Sequence, residues 1–285
     1  MRKPVAIVIP IWKEEITELE KISFKQCCTV LRKYTFFLIT YKELNLEKYI
    51  ALLNNKFVSF RVLFFDKDSF RSKAAYNRLI LSIKFYSRFI RYKYILLYQL
   101  DCFVFRDELE LWVEKGYSYI GAPWLKGYNK SKYGDPVIGV GNGGLSLRNI
   151  GAHLRVLLSF SYIKKPKILI SNRGSFLPYK LFIRLFAWIK SLTVQNNTFF
   201  MFNDFTKNED IFWSKIAPNN FSWFKIPDWK VAALFSIEVQ PEYLFELNGQ
   251  RIPFGCHAWW AYDLDFWKPY IEKYGYSLAF VKNNK

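Results

Sequence analysis

Residues 94–105 read YILLYQLDCFVF. Apolar side chains fill consecutive positions there, so a strand through this stretch would present apolar groups on both faces. A strand of that kind needs cover above and below, which is the condition inside a parallel sheet flanked by helices. Working toward the N-terminus, the same unit recurs. Strands are expected at Val5–Ile11, Thr35–Thr40 and Phe60–Phe65, alternating with helices over 15–33, Leu46–Leu53 and Ala74–Ile90. Such alternation, with connections long enough for right-handed crossovers, predicts an α/β fold built on a twisted, mostly parallel sheet. Working toward the C-terminus, a helix over Glu108–Lys115 opened by Asp107 and a strand over Tyr117–Ala122 extend the series. The regularity fades after Pro123. A short strand at Leu145–Leu147 and a helix at Asn149–Phe160 follow.

At 285 residues with half of them apolar, the chain has the material for one large core, and one domain over 1–285 is expected. Low-complexity and disordered classes are excluded by 20% aromatic content and few Gly and Pro. The charge of +18 favours anionic partners: nucleotides, phosphorylated sugars, acidic lipid or nucleic acid. Cys27, Cys28, Cys102 and Cys256 show no CxxC spacing, which argues against structural zinc and for packed thiols in a reducing cytoplasm. The N-terminus meets Lys13, Glu14 and Glu15 too soon for a signal peptide. An integral membrane protein is not expected either, since no apolar run reaches about eighteen residues. The sharpest internal change of composition is the stretch from Pro136 to Asn203, which has nine Lys and Arg and no acid.

Four clusters carry possible chemistry. Asp101 falls inside the expected strand, where a carboxylate is costly unless it is paired or bound to a cation. Gly139, Gly141 and Gly144 spell G-x-G-x-x-G, yet no acid follows about twenty residues later to hold a ribose, which argues against a dinucleotide site. What the glycines around Asn142 offer instead is a backbone that a ligand can approach closely. Asn208-Glu209-Asp210 reads as a helix N-cap with acids in the first turn, and such a helix end can also mount a general base. His257, one of two histidines, sits between a Gly turn and aromatics, as a loop histidine or as a ligand to metal or phosphate.

Taken in order, LDCFVF (100–105), YIGAPW (119–124), GVGNGGLSLRN (139–149), NEDIFW (208–213) and PFGCHAW (253–259) resemble a little-characterised family of GT-A-type nucleotide-sugar glycosyltransferases. The resemblance implies a GT-A-like, Rossmann-like fold, with a nucleotide-sugar-binding half over 1–125 and an acceptor half over 126–285. It implies a nucleotide-sugar donor, a UDP-sugar first of all, and a glycan or lipid-linked acceptor in surface polysaccharide synthesis. Pro10, Ile11, Trp12 and Asp66 would line the nucleotide. Lys73 and Asn77 would approach its base, ribose or phosphates, and Gly141, Asn142, Gly143 and Gly144 would contact the donor sugar. Glu209 or Asp210 would be the catalytic base, and Trp124, Trp259 and Trp260 would stack on acceptor sugars. Asp101 and His257 would hold a divalent metal, Mn²⁺ or Mg²⁺. The second Asp of the family's Asp-x-Asp is replaced by Phe103, so metal dependence is left open, with Lys73, Arg78 or Arg148 as alternative partners of the diphosphate.

A basic, amphipathic stretch lies within 160–193. On a helix over Tyr179–Thr193, Leu181, Phe182, Leu185, Phe186, Ile189 and Leu192 share a face opposite Lys180 and Arg184. It reads either as a core helix or as an interfacial helix on an anionic membrane, with the enzyme peripheral on the inner face. The rival to catalysis is a basic binding protein, a degenerate transferase fold or a nucleic-acid module. Nucleic acid is disfavoured by the lack of any RNA-binding signature.

Overall fold

The computed structural model describes residues 3–159, 197, 198, 201 and 205–280. In chain order the strands are β1 (Lys3–Pro10), β2 (Thr35–Thr40), β3 (Phe60–Phe64), β4 (Tyr92–Tyr98), β5 (Phe103–Val104), β6 (Tyr119–Ile120), β7 (Pro123–Leu125), β8 (Val137–Val140), β9 (Leu145–Asn149), β10 (Ser236–Ile237) and β11 (Gly255–Cys256). The central sheet has the order β3-β2-β1-β4-β9-β6. Strands β1 to β4 are parallel to one another, and β9 is antiparallel to both β4 and β6. A second, small sheet joins β10, β11 and β5, and a two-stranded one joins β7 and β8.

Both faces of the sheet are covered, as continuous apolar strands require. Ile7, Ile9, Leu38 and Leu96 pack under α1 (Glu18–Val30), α2 (Glu47–Asn55) and α5 (Leu109–Glu114). Ala6, Val8, Ile39, Ile95 and Leu97 meet α3 (Lys73–Ile80), α4 (Ile83–Ser87) and α6 (Ile150–Leu157) on the other face. The fold class is therefore α/β with a mostly parallel sheet, as the alternation predicts. Strand β9, from the second half of the chain, lies between β4 and β6 of the first, so the two expected halves share one sheet.

Three local expectations are corrected. The single helix over 74–90 is two, because the Ser82 hydroxyl donates to Leu79 O at 2.6 Å and accepts from Phe85 N at 3.1 Å. It ends one helix and caps the next, the usual competition of a serine with helical bonding. The long strand over 94–105 stops at Tyr98. A turn closed by Cys102 N on Gln99 O (3.0 Å) redirects the chain into β5, which pairs with β11. Asp101 therefore stands in a turn past the end of a strand, with a third of its side chain exposed. Glu108 rather than Asp107 occupies the N-cap position of α5, although Asp107 still accepts from Leu109 N. The expected helix over 179–193 lies outside the described residues. Among those described, no helix is long and apolar enough to cross a membrane.

Candidate active site

A cleft of about 910 Å³ opens beyond the carboxyl ends of β1 and β4, where Trp12 and Gln99 leave the sheet. This is the edge at which open α/β sheets bind ligands. Three further segments line it: α3 through Lys73, Tyr76 and Asn77, the turn between β8 and β9 through Asn142, Gly143 and Gly144, and the helical segment that starts at α7 (Glu209–Ile211) through Asp210.

One part of the wall is a histidine held between carboxylates. His257 Nδ1 lies 2.9 Å from Glu238 Oε1, and Nε2 lies 3.2 Å from Asp101 Oδ1 and 3.2 Å from Gln99 Oε1. Burial alone would lower the imidazole's pKa, but the two carboxylates outweigh it and push it up to about 10. Asp101 moves the other way: burial raises it, and the His257 charge more than compensates, leaving it below the ordinary value. Gly144 makes the arrangement possible, since a Cβ there would stand 2.0 Å from His257 Nε2.

These groups suit a divalent cation that displaces the Nε2 proton of His257 as it binds. Asp101 Oδ1 is buried without a hydrogen bond, and the 3.2 Å separations from His257 Nε2 match the spacing of about 3 Å between adjacent ligands of an octahedral ion bound at about 2.1 Å. Glu238 on the far ring nitrogen is the carboxylate that commonly orients a ligating histidine. Cys102, whose Sγ lies within 4.8 Å of the other two, is an unsuitable ligand. Burial pushes its thiol pKa well up, and Sγ donates to Gly144 O at 3.3 Å.

The acids at 209 and 210 divide sharply. Glu209 is 3% exposed, and both its oxygens are held by Arg148, at 2.8 Å from Nη1 and 2.7 Å from Nη2. Burial lifts its carboxyl pKa and Arg148 opposes the shift. Asp210 uses Oδ1 to accept from Ile211 N at 2.8 Å, and among the described residues none hydrogen-bonds its other oxygen. Its pKa is raised, chiefly by burial, the condition that suits a general base. Asn208 holds the N-cap position without a side-chain cap bond, and its amide oxygen instead accepts from Asn77 Nδ2 at 3.3 Å. The helix then widens into a π-turn over Phe212–Ile216, a distortion frequent at functional sites.

The other expected residues fall into two groups. Trp12, Lys73, Asn77, Trp124, Asn142, Gly143, Gly144, Glu209, Asp210 and His257 all line the cleft, whereas Asp101 lies outside its lining, against His257. Pro10 and Ile11 are buried at the end of β1, and Gly141 lies against the ring of Trp124. Asp66 is exposed and paired with Lys84, away from the cleft lining. Trp259 cannot stack on a sugar: its ring is fully buried and its Nε1 donates to Ser23 Oγ at 2.9 Å. Trp260 packs edge-on against it outside the cleft lining. Arg148 is equally closed to a diphosphate, being wholly buried beneath the site. Of the G-x-G-x-x-G glycines, Gly139 lies in β8 and Gly141 and Gly144 in the turn to β9, so no helix N-terminus follows to receive a pyrophosphate. Gln99, Glu238 and Tyr76 were not singled out by sequence reasoning. Gln99 had a signal, being the polar interruption of YILLYQLD; Glu238 had none.

Solved structures similar to this chain include core-mannan synthase A from Aspergillus fumigatus in its Mn/GDP form, at 10% identity and TM-score 0.40, covering 73% of this chain and 71% of that one. Mouse xyloside xylosyltransferase 1 gives 13% identity and TM-score 0.47, covering 90% and 97%. The glycosyltransferase GlyE of Streptococcus pneumoniae gives 11% identity and TM-score 0.46, covering 96% and 63%. No curated protein matches the sequence. A protein-family model matches residues 59–257, well over half the chain and a span that runs from β3 to His257, and the chain thus belongs to the family described as protein of unknown function (DUF5672).

Proposed function

We propose that this protein is a GT-A-type glycosyltransferase, moving a sugar from a nucleotide-sugar donor to a glycan or lipid-linked acceptor. The observation that carries the reading is the convergence, in one cleft at the carboxyl edge of the sheet, of a carboxylate with a free oxygen (Asp210), a carboxylate–histidine cluster and a glycine turn. In this reading the nucleotide lies along Trp12, Lys73 and Asn77, and Asn142 to Gly144 face the donor sugar. Asp101 and His257, with Gln99 in reach, would hold Mn²⁺ or Mg²⁺, which when bound supplies positive charge to the leaving diphosphate. Asp210 takes the proton of the acceptor hydroxyl at its free oxygen. The hydroxyl oxygen bonds to the anomeric carbon as the bond from that carbon to the diphosphate breaks, and the electron pair leaves with the nucleotide.

Trp124 lines the cleft as a largely buried ring, set against Gly141, with Lys215 Nζ 5.2 Å from its centre and Tyr128 edge-on at 5.5 Å, and of the three expected tryptophans it is the one we assign to the acceptor. The excess of basic residues is consistent with an anionic donor and with work at an acidic membrane surface. The test is nucleotide release from UDP- and GDP-sugars, with and without Mn²⁺, by wild type and Asp210→Asn. Release by wild type that falls at least a hundredfold in the variant, with nucleotide affinity unchanged, is expected. Absence of nucleotide binding by calorimetry would overturn the reading.

A further inference from the structure

Arg148 lies in β9, between β4 and β6 and opposite Ile95 and Tyr119, with no exposed surface. A guanidinium carries five N–H donors in a fixed plane, and here all five are used. Nε donates to Ser146 Oγ at 2.9 Å. Nη1 donates to Tyr86 OH at 3.3 Å and Glu209 Oε2 at 2.8 Å, and Nη2 to Gly143 O at 3.3 Å and Glu209 Oε1 at 2.7 Å. The plane thus ties together two segments that sequence separates, the glycine turn and the helix start at 209. Contact between them is close: a Cβ on Gly143 would stand 2.3 Å from Glu209 Oε1.

The turn is held in the same sense along its length. Tyr119 OH donates to Gly141 O (3.3 Å) and Asn142 O (2.9 Å), while Gly143 O accepts from Arg148 and from Ser146 Oγ at 3.0 Å. A trans peptide directs its N–H opposite to its carbonyl. With the carbonyls of Gly141 and Asn142 drawn inward by buried Tyr119, the N–H groups of Asn142 and Gly143 turn toward the cleft that both residues line. Neither N–H has a protein partner among the described residues. Asn142, at φ 47°, supplies the left-handed bend between them. Consecutive free N–H groups around such a bend form a small concavity for oxygen ligands.

We infer that Arg148 is a positioning residue for the proposed transfer: through Gly143 O and Glu209 it fixes the glycine turn and Asp210 relative to one another. The inference rests on the transferase reading of the same cleft and removes Glu209 from proton transfer, giving it the anchor's role. Asp210 follows Glu209 directly, so the pair that holds Glu209 sets where the free oxygen of Asp210 stands. Displacements of about 1 Å in such an alignment cost roughly a hundredfold in rate.

Arg148→Met alone strands a buried carboxylate and can fail to fold, so the decisive variant is Arg148→Met with Glu209→Leu, which removes the charge pair together. Two readouts are taken on the folded double variant. Amide hydrogen exchange by mass spectrometry is expected to rise in peptides covering 139–146 and 206–213 together, with β1 and β2 unchanged. Turnover of the nucleotide-sugar is expected to fall about a hundredfold in kcat, while calorimetric affinity for the free nucleotide diphosphate stays within about twofold. Arg148→Lys, which keeps charge but has no planar fork, is expected not to restore kcat. Unchanged exchange in the two segments, or a double variant turning over at wild-type rate, overturns the inference. If wild type consumes no nucleotide-sugar, the transferase reading fails, and the exchange result still decides whether Arg148 couples the two segments.

Discussion

Replacing Gly144 by alanine probes the geometry of the histidine cluster, because the backbone there needs no left-handed conformation and the three atoms nearest the new methyl all belong to the imidazole. Its Cβ would stand 2.0 Å from His257 Nε2, 2.3 Å from Cδ2 and 2.5 Å from Cε1, against an ordinary contact beginning at 3.4 Å. The ring must retreat by about 1.4 Å. It has no slack, since Nδ1 is bonded to Glu238 at 2.9 Å and the ring lies in a site 8% exposed. A shift of that size disturbs the 3.2 Å spacings of Nε2 to Asp101 Oδ1 and Gln99 Oε1. Overpacking a buried site by one methyl costs about 1–3 kcal/mol. For a chain of this size that is about 2–4 °C in Tm per kcal/mol, so a fall of about 2–12 °C is expected by thermal scanning. Mn²⁺ affinity, read by electron paramagnetic resonance on the folded variant, is expected to drop by ten- to a hundredfold, the range for disturbed ligand orientation. A Gly144→Ala protein with wild-type Tm and Mn²⁺ binding would refute the reasoning, because the methyl would then have found room that the structure denies it.

Further outcomes follow from other parts of the site. Asp101→Asn keeps the volume but removes the charge facing His257, and is expected to abolish donor turnover with the near-ultraviolet circular dichroism of the fold intact; turnover near the wild-type rate would exclude Asp101. His153 is fully buried among Tyr86, Trp213 and Phe224, and burial, seconded by Arg148, holds its pKa well below 6.5. Its folded-state value is depressed, so below about pH 6.5 the unfolded chain binds a proton that the folded chain refuses. Stability is therefore lost as pH falls, by up to about 1.4 kcal/mol per pH unit from this group. Denaturant titrations from pH 7.5 to 5 should show that slope in wild type relative to His153→Phe, and parallel curves would exclude it. Tyr119→Phe deletes the hydroxyl that holds Gly141 O and Asn142 O. The expected cost is about 1–3 kcal/mol of stability, with weaker binding of an intact nucleotide-sugar but not of the free nucleotide.

The sequence by itself determined the layered α/β fold, because strands such as YILLY (94–98), apolar at every position, are stable only when helices cover both faces. It also located Asp101, Asn142 to Gly144, Asp210 and His257 as chemistry-bearing residues, since polar groups and glycines interrupting an apolar pattern are visible in one dimension. Which of two adjacent acids keeps an oxygen free of described partners was beyond it. Glu209 and Asp210 are equivalent as letters, and only packing brings Arg148, 61 residues away, onto one of them. Likewise Glu238 reaches the far nitrogen of His257 only because β10 and β11 lie side by side, and Trp259 is lost to sugar binding only because Ser23, 236 residues distant, stands over its indole nitrogen. Local composition fixes what each segment must bury or expose. The partner that each polar group finds depends on contacts between distant segments, which form when the chain closes and leave no periodicity to read.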